Sequence, residues 1–188
     1  MQKMPKENIL SQGEPTAVPA APGKKETERI YHIRPIEPRD NAGVEAVIRA
    51  CLREFGADHA GTAWADPDLG RFSEVYAPLG SAYWVAEDPE GRIVGGAGIG
   101  PLTDTICELQ KMYCLPDARG TGIAQGLMDL CLVFAGEHYR ACYLETLENM
   151  TAAQRFYEKN GFKCSYDYLV DNIGGRNLRE VRYVYQFH

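Results

Sequence analysis

A chain of 188 residues, 45% hydrophobic and 24% charged, fits one globular domain with a core of its own. Its net charge of −6 and its lack of any Lys/Arg run argue against a general nucleic-acid binder. No apolar run reaches the roughly 18 residues of a membrane span, and the N-terminus lacks a secretory apolar core, so no membrane partner is expected.

Residues 1–28 contain Pro5, Pro15, Pro19 and Pro22, mixed charges and no aromatic side chain. They offer too little apolar surface to offset ordering entropy and read as a flexible tail, leaving 29–188 as the folded domain. Tyr31 to Ile36 predicts a short strand ended by Pro38. Asp40 is placed to cap a helix whose residues Val44, Val47, Ile48, Cys51, Leu52 and Phe55 fall at helical spacing, with Gly56 as the stop. Ala57 to Gly70 reads as loop, followed by a short helix over Phe72 to Ala77. Ser81 to Glu87 and Arg92 to Pro101 predict a hairpin around the Asp88–Gly91 turn, and Thr105 to Leu115 a further strand.

Gly120 to His138 is the strongest predicted helix, with Ile123, Leu127, Leu130, Cys131 and Phe134 as its apolar stripe. Ala141 to Leu147 predicts a strand. Thr151 with Gln154 has the form of a capping box for a helix that Gly161 ends. Phe162, Cys164, Tyr166 and Tyr168 alternate with polar residues, as do Val181, Tyr183, Tyr185 and Phe187. They predict two antiparallel strands joined by a loop over Asp171 to Asn177. The order describes one mixed α/β sheet with helices on both faces. The six cysteines, Cys51, Cys107, Cys114, Cys131, Cys142 and Cys164, form no CxxC and read as buried thiols of a reducing compartment, with the cytoplasm as expected address.

Two glycine-rich runs compete as anion sites. A phosphate cradle needs backbone N–H groups free to point outward, which a helix N-terminus supplies along with a favourable dipole. VGGAGIG, Val94 to Gly100, lies inside a predicted strand with no helix behind it, so its glycines read as places of close backbone approach. ARGTGIAQGLM, Ala118 to Met128, follows a strand and opens the strongest helix, and Arg119 adds a positive charge. It lacks the GK[ST] of a Walker loop, which disfavours a nucleoside triphosphate. The chemistry allows a pyrophosphate-type ligand there or a plain glycine-rich helix start.

Within RGTGIA, Arg119, Gly122 and Ala124 match the Q/R-x-x-G-x-G/A signature of the GNAT superfamily of acyl-CoA-dependent N-acetyltransferases, and FYEKNGF (Phe156 to Phe162) resembles that family's FYEKxGF segment. The element order from Ile30 to Phe187 agrees as well. The resemblance implies a GNAT-like mixed, mostly antiparallel central sheet and direct transfer of an acetyl group from acetyl-CoA to an amine. It implies that the pyrophosphate sits on Arg119, Gly120, Thr121, Gly122, Ile123 and Ala124. The pantetheine arm would pair with Met112, Tyr113, Cys114 and Leu115, beside a strand that splays away. The N–H near Cys114 would polarise the thioester carbonyl.

An alkylamine with pKa about 10 must lose a proton, and a thiolate leaving group with pKa about 8.5 gains from an acid that stays protonated. Tyr157 matches the family's acid tyrosine. Glu108 is the favoured base, on the strand that ends at Cys114, with Glu145 on the neighbouring strand as the second candidate. Either glutamate can equally be a solvated strand residue, and Tyr157 a core residue. Where family members often carry a cofactor-contacting asparagine, this chain has Met150, with Asn149 just before it: either the turn absorbs the shift or Asn149 is a helix cap. No His or Asp arrangement beside Cys114 suggests a covalent nucleophile. His32, His59, His138 and His188 form no metal motif.

The acceptor is expected between the loop Gly56–Gly70 and the segment near Asp167–Asn177. Asp58, Asp66 and Asp68 would suit a cationic amine, and His59 and Trp64 are candidate lining residues. A small-molecule amine is favoured, since no basic docking surface is evident. A protein N-terminus or lysine, another acyl group, and a non-catalytic acyl-CoA-binding module remain alternatives, and a homodimer is compatible with these features.

Overall fold

The computed structural model describes residues 31–165 and 180–187. The predicted tail, Tyr166, Tyr168 and the predicted Asp171–Asn177 loop lie outside the described residues. The chain runs β1 (His32–Pro35), α1 (Asn41–Glu54), α2 (Phe72–Val75), β2 (Ala82–Glu87), β3 (Ile93–Pro101), β4 (Ile106–Cys114), α3 (Ile123–His138), β5 (Ala141–Leu147), α4 (Thr151–Lys159), β6 (Lys163–Cys164) and β7 (Glu180–Gln186). The seven strands form one sheet in the order β1-β2-β3-β4-β5-β7-β6. Every neighbouring pair is antiparallel except β4 and β5, which α3 links as a crossover.

Strand alternation sends apolar side chains to both faces, and helices cover each. Tyr83 and Val85 of β2 pack with Val44, Val47, Ile48 and Cys51 of α1 and Phe72 of α2. Ala86 packs on the other face with Ile123, Leu127, Met128 and Cys131 of α3. The expected mixed sheet with helices on both faces is thus present. Among the described residues, no helix is long and apolar enough to cross a membrane.

Several local expectations change. Asp40 does not cap α1 with its side chain: a 3-10 turn over Pro38–Asp40 puts its own backbone in helical conformation. Its buried carboxylate instead takes two bonds from Arg34, at 2.7 and 2.9 Å, and one from the Glu37 N–H at 2.8 Å. α2 ends at Val75, short of Ala77. α3 begins at Ile123 because Gly120 and Gly122 have φ of +76° and +92°, outside the helical region. Leu130 faces solvent, and Met128 takes the inward place expected of it.

Thr151 is already helical, and Gln154 donates instead to the Leu147 and Glu148 carbonyls at 3.1 and 2.9 Å, so no capping box forms. All six cysteines are free, but Cys114 is only half-buried and Cys164 is exposed.

The VGGAGIG run is structural, as read. It lies in β3 between β2 and β4, and a Cβ on Gly96 or Gly98 would stand 2.7 or 2.5 Å from the Tyr83 ring. Side chains from the α1 and α2 face come down onto this bare strand.

Candidate active site

β4 and β5 part company halfway along. They pair only over Ile106–Glu108 and Ala141–Tyr143, while β4 stays on β3 as far as Cys114 and β5 stays on β7 as far as Leu147. The cause sits in β4: Lys111 and Met112 together oppose the single residue Ala97, and Lys111 adopts a φ of +51°. This bulge turns the strand away from β5. The Tyr83 hydroxyl, donating to the Lys111 carbonyl at 3.1 Å, and an ion pair from Lys111 Nζ to Asp66 at 2.6 Å hold it in place.

Past the bulge, the Leu115 N–H donates to the Val94 carbonyl at 2.8 Å. Alternation then aims the N–H of Cys114, the register partner of Gly95, away from β3 and towards the gap.

The donor-side loop leads into α3. The first carbonyl-bonded N–H of the helix is that of Gly126, to Gly122 at 3.0 Å, so the N–H groups of Ile123, Ala124 and Gln125 lie outside the helical ladder. A Cβ on Gly120 or Gly122 would meet nothing within 4 Å. The bare backbone and free N–H groups at the positive end of a helix suit an anion.

Arg119 does not add a free positive charge there. Its guanidinium grips Glu54 through bonds of 2.6 and 2.7 Å, its Nε donates to the Cys114 carbonyl at 2.9 Å, and it lies over the Phe55 ring. The Thr121 hydroxyl donates to the Ala118 carbonyl at 2.6 Å, closing the loop on itself.

A cavity of about 340 Å³ opens where the strands diverge. It brings together three of the predicted chemical groups, Tyr157, Glu108 and Glu145, with Met112 and Tyr113 at the end of β4. Tyr157 is 8% exposed, its ring packed among Phe156, Phe162 and Tyr183. Burial, with Tyr113 and Cys114 adding to it, pushes its hydroxyl well above the ordinary tyrosine range, so it keeps its proton.

Burial likewise raises the Glu108 carboxyl above its usual range; a bond from Gln110 Nε2 at 2.6 Å opposes the rise and neighbouring Glu145 adds to it. Glu145 is differently placed. It accepts the Tyr143 hydroxyl and lies 3.5 Å from Arg182 Nε. Burial, helped by Cys51, pushes the Cys114 thiol up to about 12, which leaves it no thiolate character as a nucleophile.

The acceptor-side expectations divide. Asp66 and Asp68 line this cavity, whereas Asp58 does not. His59 lines a second cavity of about 600 Å³ with Phe55, Leu147 and Asn149. Trp64 lines neither, because the guanidinium groups of Arg49 and Arg53 lie over its ring at 4.6 and 5.0 Å. Asn149 is no helix cap: Met150 holds that position, and Asn149 Nδ2 reaches the Phe55 carbonyl at 3.5 Å. The segment near Asp167–Asn177 lies outside the described residues.

Sequence reasoning missed Glu54, Tyr76, Gln110 and Lys111. Gln110 was within reach, two residues from Glu108 on the same strand face. Glu54 and Tyr76 meet their partners only through the fold, with no local pattern to announce them.

A family description, the acetyltransferase (GNAT) domain, matches residues 80–164. YjgM of Escherichia coli (strain K12), an uncharacterised N-acetyltransferase, is 44% identical over 160 residues, 79% of this chain and 94% of that protein. The chain belongs to the GNAT superfamily of N-acetyltransferases.

The GNAT fold is shared with solved structures. A GNAT-family acetyltransferase of Staphylococcus aureus Mu50 superposes with a TM-score of 0.75 at 22% identity, covering 85% of this chain and all (100%) of that one. YncA of Salmonella typhimurium, a putative acetyltransferase solved with acetyl-CoA, superposes with a TM-score of 0.65 at 18% identity, covering 85% of this chain and 95% of that one.

Proposed function

We propose that this GNAT enzyme transfers an acetyl group from acetyl-CoA directly to a primary amine of a small molecule. One observation carries the reading: the cavity where β4 leaves β5 contains both a buried tyrosine that keeps its proton and a strand glutamate with raised basicity. The bare-backbone start of α3 fits the pyrophosphate of such a donor, since Gly120 and Gly122 leave open space and three N–H groups are unused by the helix.

Acetyl-CoA supplies a thioester whose carbonyl carbon is the electrophile and whose sulfur is the leaving group. The chain's residues do the rest. Loop residues 119–124 hold the diphosphate through backbone groups, and the Cys114 N–H donates to an oxygen that gains negative charge. Glu108 accepts the amine proton through water, and the Tyr157 hydroxyl gives its proton to sulfur. Glu108 is preferred over Glu145 because Tyr143 and Arg182 already occupy the latter. The limited cavity volume favours a small amine over a protein chain; of the two aspartate carboxylates on its wall, Asp66 is already paired with Lys111, and Asp68 lies 3.5 Å from the exposed Arg71.

The test is CoA-thiol release from acetyl-CoA across a panel of small amines, with Tyr157→Phe alongside. Turnover that falls at least about tenfold in the variant, with acetyl-CoA binding intact, supports the reading. Failure of the wild-type chain to bind acetyl-CoA sinks it.

A further inference from the structure

The glycine run Val94–Gly100 does more than let strands approach. A Cβ on Gly98 would stand 2.7 Å from the Tyr76 ring, and one on Gly100 would stand 2.8 Å from Gln110 Oε1. Two polar side chains with no role in the scheme above thus occupy the room these glycines clear. They are joined in line: the Tyr76 hydroxyl donates to Gln110 Oε1 at 2.9 Å, and Gln110 Nε2 donates to Glu108 Oε2 at 2.6 Å.

We propose that Tyr76 and Gln110, seated on Gly98 and Gly100, form a positioning relay that holds Glu108 ionised and fixes its orientation towards the acceptor. The inference rests on the reading of Glu108 as proton acceptor.

The direction of the relay follows from the inventory of donors. A primary amide has an accepting end and a donating end. The Tyr76 ring is wedged against Phe72 and Tyr83, at centroid distances of 5.4 and 5.0 Å, so its hydroxyl is fixed in space. Burial keeps its proton on, and the hydroxyl presents that proton to the amide oxygen. The amide N–H₂ is then turned towards Glu108. A flipped amide would set oxygen against carboxylate, which is tolerable only when Glu108 carries a proton and donates it. Amide orientation and Glu108 ionisation are therefore coupled.

The charges around Glu108 leave Gln110 a large share of this task. Glu145 on β5 opposes ionisation. Lys111 on β4 favours it, but its ammonium is engaged by Asp66 of the loop before α2, at 2.6 Å. Arg182 on β7 lies against Glu145, which also takes the hydroxyl of Tyr143, the register partner of Glu108.

The test needs no acceptor. Carbon-13 NMR of the glutamate carboxyl groups in the full chain, with the Glu108 signal assigned by its loss in Glu108→Gln, follows ionisation directly. In Gln110→Leu the Glu108 midpoint is expected to rise by about one pH unit, the loss of one hydrogen bond to a charged group. Tyr76→Phe, which removes one oxygen and keeps the ring, is expected to raise it less and in the same direction. Thermal melts report whether each variant is folded, and Tyr76→Phe carries the test if Gln110→Leu is not. An unchanged or lowered midpoint in a folded variant overturns the relay. Full turnover by Glu108→Gln would instead remove the base assignment, a separate result from the NMR midpoint.

Discussion

The Arg119 guanidinium holds the Glu54 carboxylate at 2.6 and 2.7 Å, joining the donor-side loop to the end of α1 across 65 residues of sequence. Both side chains are more than a third exposed, so the pair's direct contribution to stability is small, about 1 kcal/mol at most. Its geometric effect is larger, because the same guanidinium donates to the Cys114 carbonyl at the end of β4. Glu54→Gln is expected to raise KM for acetyl-CoA up to about fivefold and leave kcat nearly unchanged. Steady-state kinetics with acetyl-CoA varied would check this. A fall in kcat at constant KM would place Glu54 in the chemical step instead.

Tyr157 is buried among aromatic rings and lines the cavity. Because burial raises its ionisation above the ordinary tyrosine range, the hydroxyl stays protonated through the whole working range. Tyr157→Phe should therefore lower kcat at least about tenfold at every pH from 6 to 9, without moving a basic limb. Calorimetry should find acetyl-CoA affinity within about twofold of wild type. A variant with full kcat would return Tyr157 to the core.

Most of the scaffold was legible in the sequence, because strand alternation and helical stripes report burial directly. The bounds of β2, β3, β4 and β5 fall within a residue or so of those expected. What failed was local chemistry decided by distant partners. Asp40 looks like a cap until Arg34 reaches it, and Trp64 looks like a pocket wall until Arg49 and Arg53 cover it. Within the site, Tyr157, Glu108 and Glu145 do share one cavity. Arg119 as a free cation did not survive, since nothing in RGTGIA announces Glu54.

The two glycine runs should respond to alanine in opposite ways. At Gly122, with φ of +92°, a Cβ meets no protein atom within 4 Å, so the cost is backbone strain of about 1–2 kcal/mol plus obstruction of the cradle. At Gly98 a Cβ would stand 2.5 Å from the Tyr83 ring and 2.7 Å from the Tyr76 ring, overpacking the core by about 1–3 kcal/mol. Gly122→Ala is therefore expected to weaken acetyl-CoA binding at least about tenfold while remaining folded. Gly98→Ala is expected to show the larger loss in Tm. Calorimetric titration and thermal melts on both variants separate the cases, and equal loss of acetyl-CoA affinity in both would contradict the division.

Glu108 sets activity against stability. Its carboxyl titrates above the ordinary glutamate range because burial disfavours the charge. A folded-state value above the unfolded one means that its contribution to stability is fully present below the unfolded value and is lost as pH rises through the folded value. At pH 7 the chain thus keeps a half-buried carboxylate at a cost that the neutral amide of Glu108→Gln does not carry. That variant is expected to melt higher than wild type at pH 7, with the difference shrinking towards pH 4. Its kcat/KM should fall about a hundredfold, and the acid limb expected of wild type above the ordinary carboxylate range should vanish. A melt that drops at pH 7 would mean that Glu108 is held by stabilising contacts stronger than its burial cost, and an acid limb persisting in the variant would assign that limb to another group, with Glu145 the first to substitute.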